Sequence, residues 1–243
     1  MPPSDTLDPE LAPTSPLVRG LDRPVDRVRR LRLVDEVVRE GPVVDARVVD
    51  AMLRVPRQLF VPPELAELAY ENRPLAIGWE QTISQPLIVA IMSEALELAP
   101  THRVLEVGTG SGYQAAILSL LAREVFTIER VGALAEIAQA RLARCGFGNV
   151  HIHVGDGYQG WAENAPYDRI LVTAAPPRMP EALLDQLADG GVLVTPVGGF
   201  GDWDDQRLVR ARKSGGRITL DDLGSVRFVP MLRGVERPGL SWS

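Results

Sequence analysis

The chain has 243 residues, of which 45% are hydrophobic and 24% are charged, and this balance is that of a globular protein with a full core. The formal net charge of -6 disfavours a nucleic-acid-binding surface. No apolar run approaches the ~20 residues of a membrane span, and the first residues lack the pattern of a signal peptide. The single cysteine, Cys145, can form no internal disulfide, so we expect a cytoplasmic protein without nucleic-acid or membrane partners.

The N-terminal part of the chain predicts a tail followed by helices. Residues 1–20 are rich in proline and polar residues and predict a disordered tail. Residues 21–243 then predict a single domain that starts with a helical layer over about residues 21–98. The first helix of this layer is indicated by apolar residues at three- and four-residue steps from Val25 to Val38.

Three further helices are predicted within this layer. A short second helix stops at Pro56, because the residue before a proline is disfavoured in helical conformation. Residues 60–70, "FVPPELAELAY", predict a third helix. A fourth is predicted from Gln85 to about Leu98, with Pro86 in its first turn, where a missing N–H costs nothing.

Strands and helices alternate from about residue 102 onward. The strands are "HRVLEVG", "EVFTIE", "VHIHVGD", "YDRILVTAA" and "VLVTPVG", and helices are predicted between them, one closed by Gly146 and another over residues 180–191. This alternation predicts a doubly wound, mostly parallel α/β sheet. Two β-rich runs over residues 206–230 flank Ser214-Gly215-Gly216 and predict a C-terminal hairpin, so that the sheet ends antiparallel.

A glycine-rich segment follows the first of these strands. Gly108, Gly110 and Gly112 allow a sharp turn and a close approach to a ligand, and the next helix offers free backbone N–H groups. Glu129 ends the following strand, where a carboxylate can accept hydrogen bonds from both ribose hydroxyls. Asp156 follows the third strand, where it can meet an adenine amino group. Together these positions predict a nucleotide-like ligand.

The spacing of the glycines distinguishes two kinds of cofactor. Dinucleotides are usually held by Gly-x-Gly-x-x-Gly, whereas this loop reads Gly-x-Gly-x-Gly and follows an acid, Glu106. A carboxylate there would repel a pyrophosphate, but it suits the α-ammonium group of S-adenosylmethionine. The residues therefore favour S-adenosylmethionine, and a dinucleotide-dependent oxidoreductase is the less favoured alternative.

Several segments, taken in order along the chain, resemble one family. They include "VPRQLFVPPELAELAYENRPLAIG", "QTISQPLIVAIM", "VLEVGTGSGYQAAIL", "GDGYQGW" and "FVPMLRG". Over about Val25 to Gly234 they resemble the protein-L-isoaspartate O-methyltransferase family, and the "QTISQP" segment is specific to it. The resemblance implies a doubly wound, mostly parallel, seven-stranded Rossmann-like methyltransferase sheet with an antiparallel C-terminal strand.

The resemblance also implies the residues of the site. Ser84 would be the active-site residue beside the sulfonium of the cofactor. Val229 and Pro230 would shape the cleft for a peptide, together with Thr82 and Ser84. The implied cofactor-binding residues are Thr82, Ile83, Ser84, Gln85, Glu106, Gly108, Gly110, Gly112, Glu129, Gly155 and Asp156.

The implied reaction is methyl transfer from S-adenosylmethionine to the side-branch carboxylate of L-isoaspartyl residues in damaged proteins and peptides. The ester then starts repair through a succinimide. A carboxylate with a pKa of about 4 is already ionised at pH 7, so it needs positioning but no general base. We therefore interpret Ser84 as the residue that orients the carboxylate. The competing interpretation is that Ser84 caps the helix that follows it.

Some features leave alternatives open. Trp79 and Glu80 stand where the family often has a small or glycine-containing segment, which raises the alternative of methyl transfer to a dedicated peptide substrate. A scaffold that binds S-adenosylmethionine without turnover is another alternative, disfavoured by the intact motifs. We expect isoaspartyl proteins and peptides as partners and a monomeric enzyme. The N-terminal extension has no assigned role.

Metal and thiol chemistry are not predicted. His151 and His153 alternate on a strand and share a face, but the sequence offers no evident third ligand, so we predict no metal site. Cys145 lies near the end of a predicted helix, and we predict that its side chain packs in the core.

Overall fold

A computed structural model describes residues 21–198 and 206–236 of the chain. The predicted tail over residues 1–20 lies outside the described residues, as do residues 199–205 and 237–243. Within the described residues, no helix combines the length and the apolar character needed to cross a membrane. These residues form a helical N-terminal layer and a seven-stranded sheet.

The N-terminal layer begins with two helices, α1 (Pro24–Glu40) and α2 (Ala46–Arg54). Proline fits the first turn of α1, where its fixed φ suits the helix and its missing N–H needs no partner. Asp45 caps α2, because its side chain accepts a hydrogen bond from the backbone N–H of Arg47. Both helices therefore start at residues whose local chemistry favours a helix start.

The prediction of a third helix over residues 60–70 is wrong. Two short 3₁₀ turns, Arg57–Phe60 and Pro63–Leu68, stand there instead. Pro62 and Pro63 explain the difference, since neither can donate an N–H and each disfavours helical conformation in the residue before it. The chain therefore forms two successive 3₁₀ turns here and no α-helix.

A small antiparallel hairpin, which the sequence analysis did not predict, connects this segment to the next helix. Its strands are β1 (Leu75–Gly78) and β2 (Gln81–Ile83). Leu75 pairs with Ile83, and both side chains are buried in the core. Helix α3 (Pro86–Ala95) follows and ends before Leu98, so it is shorter than predicted.

The sheet has seven strands in the order β5-β4-β3-β6-β7-β8-β9. Strands β3 to β7 are parallel to one another, β8 runs antiparallel to β7, and β9 runs antiparallel to β8. The predicted mostly parallel sheet with a reversed C-terminal end is confirmed. The strands are β3 (Arg103–Val107), β4 (Glu124–Glu129), β5 (Val150–Val154), β6 (Tyr167–Val172), β7 (Leu187–Val197), β8 (Gln206–Ser214) and β9 (Arg217–Val226).

Three helices connect the parallel strands, namely α4 (Tyr113–Ser119), α5 (Gly132–Cys145) and α6 (Glu181–Gln186). Helix α5 ends at a left-handed glycine, as predicted. Helix α6 is shorter than the predicted 180–191. Its last predicted turns belong to β7, because Leu187 already pairs with Tyr167 of β6.

The core lies on both faces of the sheet. Within β3, Val104 contributes to the apolar cluster on one face and Leu105 to the cluster on the other, and neither side chain is exposed. A strand that is covered on both faces reads as a continuous apolar run. Strand β3 lies between β4 and β6, so the strand order changes direction at β3. At such a point a crevice opens beyond the carboxyl ends of the parallel strands.

Candidate active site

Two adjoining clefts occupy this crevice. The first, which we call the loop cleft, spans about 640 Å³, including space open to solvent, and is lined by Gly108, Gly110 and Glu129 among others. The second, which we call the Ser84 cleft, spans about 1340 Å³, including space open to solvent, and is lined by Ser84 and Gln85 among others. The two clefts share the wall residues Thr82, Thr173 and Val229. A ligand in one cleft can therefore reach a ligand in the other.

The glycine loop turns sharply at the carboxyl end of β3. Gly108, Gly110 and Gly112 have φ values of 101°, 51° and 88°, a region that favours glycine. A Cβ at Gly108 would lie 2.3 Å from Oγ1 of Thr173, which itself donates a hydrogen bond to the Gly108 carbonyl at 2.8 Å. Glycine is thus required at position 108, and Thr173 holds the loop from the end of β6.

Glu129 supplies a carboxylate to the wall of the loop cleft. Its Oε2 accepts a hydrogen bond from the Gly110 N–H at 2.8 Å, and its Oε1 accepts one from the Val131 N–H at 2.9 Å. Burial raises the pKa of Glu129, and these backbone donors oppose that rise. The carboxylate is therefore fixed in place, with lone pairs left for a ligand.

Glu106 lies behind the glycine loop and does not line either cleft. Its Oε2 accepts a hydrogen bond from Thr127 Oγ1 at 2.5 Å, and Thr127 in turn bonds Thr109 of the loop at 2.7 Å. Its Oε1 has no hydrogen-bond partner among the described residues. Burial raises the pKa of Glu106 to about 8. The predicted contact between Glu106 and an ammonium group stays a prediction.

Gly155 and Asp156 lie at the carboxyl end of β5, next to the loop cleft. Gly155 donates its N–H to the Glu129 carbonyl at 3.0 Å. Asp156 caps the 3₁₀ turn Gly157–Gln159 through its Oδ1 atom, and its Oδ2 atom accepts a hydrogen bond from the Gly234 N–H at 2.9 Å. Gly157 lines the loop cleft, whereas Gly155 and Asp156 do not.

The segment over residues 81–85 forms the side of the crevice opposite the glycine loop. Thr82 is exposed and lies in both clefts, and Ser84 lines the Ser84 cleft. The side chain of Ile83 is buried in the core. Gln85 lines the Ser84 cleft and donates its Nε2 hydrogen bond to the Asn72 carbonyl at 3.0 Å.

The interpretation of Ser84 as a helix cap is wrong. Gln85 occupies the N-cap position of α3, and its side chain makes no capping bond. The Leu87 N–H in the first turn of α3 is instead satisfied by Asn72 Oδ1 at 3.1 Å. Among the described residues, the Ser84 hydroxyl makes no hydrogen bond. It is therefore available to a ligand in the Ser84 cleft.

Val229 and Pro230 close the crevice from the C-terminal side. The carbonyl of Val229 accepts a hydrogen bond from Ala175 N–H at 2.8 Å, and Met231 donates its N–H to the Ala175 carbonyl at 2.8 Å. Val229 lines both clefts and Pro230 lines the loop cleft. The C-terminal segment is thus fastened beside the end of β6.

The structure adds residues that the sequence analysis missed. Thr173 forms part of both clefts, and its place at the carboxyl end of a parallel strand is a signal that could have identified it. Asn72 caps α3 from fourteen positions before its first residue, Pro86, and no local pattern indicates such a bond. Arg57 reaches the Ser84 carbonyl from the N-terminal layer, which local patterns also do not indicate.

The other candidates for chemistry make packing contacts, Cys145 in the core and the exposed His151 and His153 on aromatic rings. Cys145 is buried in the core, and burial raises the pKa of its thiol to about 11, so its reactive thiolate is scarce at neutral pH. His151 stacks on Phe126 and His153 stacks on Trp161, with ring centroids 5.0 Å and 4.8 Å apart. The described residues contain no group of three or more side chains suited to hold a metal ion.

Comparisons with known proteins identify a family. The model of the protein-L-isoaspartate(D-aspartate) O-methyltransferase family matches residues 28–236. A protein-L-isoaspartate O-methyltransferase of Dictyoglomus turgidum is 51% identical over 213 residues, which are 88% of this chain and 95% of that protein.

Solved structures agree with this match. One protein-L-isoaspartate O-methyltransferase superposes with a TM-score of 0.74 at 30% identity, over 83% of this chain and 65% of that chain. A Plasmodium falciparum protein of the same name, in complex with S-adenosyl-L-homocysteine, has a TM-score of 0.73 at 28% identity, over 84% of this chain and 98% of that chain. The chain therefore belongs to the protein-L-isoaspartate(D-aspartate) O-methyltransferase family, whose members are S-adenosylmethionine-dependent methyltransferases.

Proposed function

We propose that this enzyme methylates the side-branch carboxylate of L-isoaspartyl residues in damaged proteins and peptides, with Ser84 orienting that carboxylate. The observation that carries the proposal is the junction of the two clefts. The loop cleft is suited to a nucleoside and the Ser84 cleft to a peptide segment, and they meet at Thr82, Thr173 and Val229. Methyl transfer needs such a junction, because donor and acceptor must approach in line.

The residues of the loop cleft fit S-adenosylmethionine. The fixed carboxylate of Glu129 suits the ribose hydroxyls, and the turn of Gly108 and Gly110 brings bare backbone to the ligand. The unpartnered Oε1 of Glu106, behind this turn, leaves a buried acceptor on the side assigned to the α-ammonium group. Asp156 is assigned to the adenine end. The bound cofactor supplies a methyl group activated by a positively charged sulfur.

Ser84 acts on the acceptor. An isoaspartyl carboxylate is ionised at neutral pH, and its oxygen is already a nucleophile. The Ser84 hydroxyl, which has no partner among the described residues, donates a hydrogen bond to one carboxylate oxygen and so aims the other at the loop cleft. A neutral donor suits this task, since a charged base there would compete for the methyl group.

The ester product repairs itself without further help from the protein. The methyl ester can expel methanol, which leaves more readily than hydroxide would leave the unmethylated group. The neighbouring backbone nitrogen therefore attacks the ester carbonyl, methanol departs and a succinimide closes. Hydrolysis of the succinimide returns part of the material to normal aspartate. The enzyme therefore needs to do no more than bind, orient and methylate.

We propose a monomeric enzyme, in which three parts of the chain line the two clefts. Thr82 and Ser84 come from the N-terminal layer, whereas Glu129 and Val229 come from the sheet and the C-terminal segment. The net charge of -6 supports a protein substrate rather than nucleic acid, and we propose no membrane partner. The lone, buried Cys145 supports a reducing compartment, so we propose the cytoplasm.

Replacing the Ser84 hydroxyl tests this assignment. In Ser84→Ala we expect kcat to fall by about 10- to 1000-fold, because the carboxylate loses its orienting donor, while the affinity for S-adenosylmethionine stays nearly unchanged. Ser84→Thr, which keeps a hydroxyl, should retain more activity than Ser84→Ala. The control is Ser214→Ala, an exposed serine at the end of β8. Wild-type turnover in Ser84→Ala would remove Ser84 from the reaction.

A further inference from the structure

Arg57 is a buried cation held by carbonyl groups and an aromatic ring. Its side chain is enclosed, with 0% exposure. Its Nε donates a hydrogen bond to the Ala69 carbonyl at 2.9 Å, and its Nη2 donates one to the Ser84 carbonyl at 2.8 Å. Its Cζ lies 4.9 Å from the ring centroid of Tyr113, and its Nη1 has no hydrogen-bond partner among the described residues.

Burying the Arg57 guanidinium lowers the stability of the folded protein unless other interactions offset the cost. A buried charge is ordinarily paired with an opposite charge, and no salt bridge to Arg57 is present within the described part of the chain. Burial lowers the pKa of Arg57 to about 10, which still leaves the guanidinium charged at neutral pH. An apolar side chain could fill the same space without this cost, so the cation calls for a role besides packing.

Two of its contacts belong to the site. The Ser84 carbonyl is the backbone of the residue whose hydroxyl faces the Ser84 cleft. Tyr113 is the first residue of α4 and directly follows Gly112 of the glycine loop. Arg57 therefore joins the two sides of the crevice, one that faces the peptide and one that faces the cofactor.

We propose that Arg57 is a positioning residue for methyl transfer: it fixes the backbone of Ser84 against the glycine-loop helix, so that the Ser84 hydroxyl stays directed into the Ser84 cleft. The inference rests on the role assigned to Ser84 above. A lysine cannot replace the arginine in this position. A single ammonium group lacks the planar fork that reaches two carbonyls while its face stacks on a ring.

Arg57→Lys tests the proposal against a purely structural role. We expect kcat to fall by about 10- to 100-fold, because a small misplacement of the orienting group is enough for such a loss, while the KM for peptide and the Kd for S-adenosylmethionine change by less than about 3-fold. The matched control is Arg30→Lys. Arg30 is also a buried arginine of the N-terminal layer, but it bonds Asp22 and Tyr70 and touches neither cleft.

Arg30→Lys should lower Tm and leave the kcat of the folded protein unchanged. If Arg57→Lys lowers Tm by a similar amount and also keeps its kcat, the positioning role is overturned.

Tyr113→Leu is the second variant, and it tests the same role if Arg57→Lys does not fold. This substitution removes the ring under the guanidinium, and we expect it to reduce kcat by about 3- to 10-fold.

A double-mutant cycle with Ser84→Ala separates this inference from the proposed function. If Arg57 acts through Ser84, Arg57→Lys should change kcat by less than about 3-fold in the Ser84→Ala background. Equal effects of Arg57→Lys in both backgrounds would overturn the inference while leaving the role of Ser84 intact. Wild-type turnover in Ser84→Ala alone would instead be a failure of the proposed function.

Hydrogen exchange provides a readout that does not depend on turnover. We expect Arg57→Lys to speed amide exchange over residues 81–87, because the Ser84 carbonyl loses its donor, whereas Arg30→Lys should leave this segment as in the wild type. Unchanged exchange over residues 81–87 in Arg57→Lys would contradict the proposed anchoring of the Ser84 backbone.

Discussion

Glu129 ends β4 and Glu106 is the second-last residue of the neighbouring β3, and their surroundings give the two carboxylates different chemistry. Glu129 lines the loop cleft, and backbone N–H groups hold both of its oxygens. Glu106 is enclosed behind the loop and receives one hydroxyl bond, from Thr127. Glu129 can therefore meet a ligand directly, whereas Glu106 lies behind the glycine loop and lines neither cleft.

The first prediction at this scale concerns Glu129. We expect Glu129→Ala to weaken S-adenosylmethionine binding by about 10- to 100-fold, since hydrogen bonds to a charged group are worth about 1.5–3 kcal/mol. Titration calorimetry measures the change. The control is Glu136→Ala, an exposed glutamate on α5. Unaltered affinity in Glu129→Ala would contradict the assignment of this carboxylate to the ribose.

The second prediction concerns the pH dependence of stability. Burial raises the pKa of Glu106 from 4.5 to about 8 in the folded chain, so the folded state holds this proton more tightly than the unfolded state. The contribution of Glu106 to stability is therefore present at low pH and is lost as the pH rises from about 4.5 to about 8.

Glu106→Gln removes this titration. Without cofactor, we expect the Tm of Glu106→Gln relative to the wild type to rise as the pH increases from about 5 to about 8. Thermal unfolding at several pH values measures the difference, in which titrating groups that do not interact with Glu106 cancel. A difference in Tm that stays constant over this range would mean that Glu106 titrates near its ordinary pKa.

Among the elements, the β1–β2 hairpin has an unusual turn. Trp79 and Glu80 both adopt left-handed conformations, with φ values of 49° and 56°. Two-residue hairpin turns of this kind favour Asn-Gly, because a side chain at positive φ is strained. The turn stands directly before Gln81 and Thr82, which line the loop cleft. A strained turn beside a site suggests that its side chains serve binding.

Relaxing this turn is the prediction at the scale of elements. We expect the double variant Trp79→Asn/Glu80→Gly to raise Tm by about 2–4 °C, the shift that about 1 kcal/mol produces in a protein of this size. Thermal unfolding measures the change in Tm. A separate assay of activity on a panel of unrelated isoaspartyl peptides distinguishes an enzyme that accepts many peptides from one with a dedicated substrate. An unchanged or lowered Tm would show that Trp79 stabilises the hairpin by packing.

The elements also show how far the sequence could predict the structure. The strands of the sheet and helix α5 follow from apolar runs and from Gly146, which are local signals. The 3₁₀ turns around Pro62 and Pro63 were mistaken for a helix, because the apolar spacing outweighed the prolines. Ser84 was the local candidate for the cap of α3, as the competing interpretation of this residue, whereas the structure uses Asn72. Bonds between distant residues leave no trace in local periodicity.

At the scale of the whole molecule, the N-terminal layer and the sheet build the site together. The glycine loop and Glu129 could be found from the sequence, because parallel strands present their carboxyl ends at one edge. The same signal marks Thr173, at the end of β6, whereas no local signal marks Arg57, because its bond to the Ser84 carbonyl joins residues 27 positions apart. The helical layer therefore does more than cover the sheet, because it carries Ser84, which lines a cleft, and bonds its carbonyl through Arg57.

Methyl transfer to a matched pair of peptides tests the central claim most directly. The two peptides differ only in carrying L-isoaspartate or L-aspartate at one position, and labelled S-adenosylmethionine is the donor. The account predicts a base-labile methyl ester on the isoaspartyl peptide alone. Label on neither peptide, with S-adenosylmethionine bound, or equal label on both would contradict it.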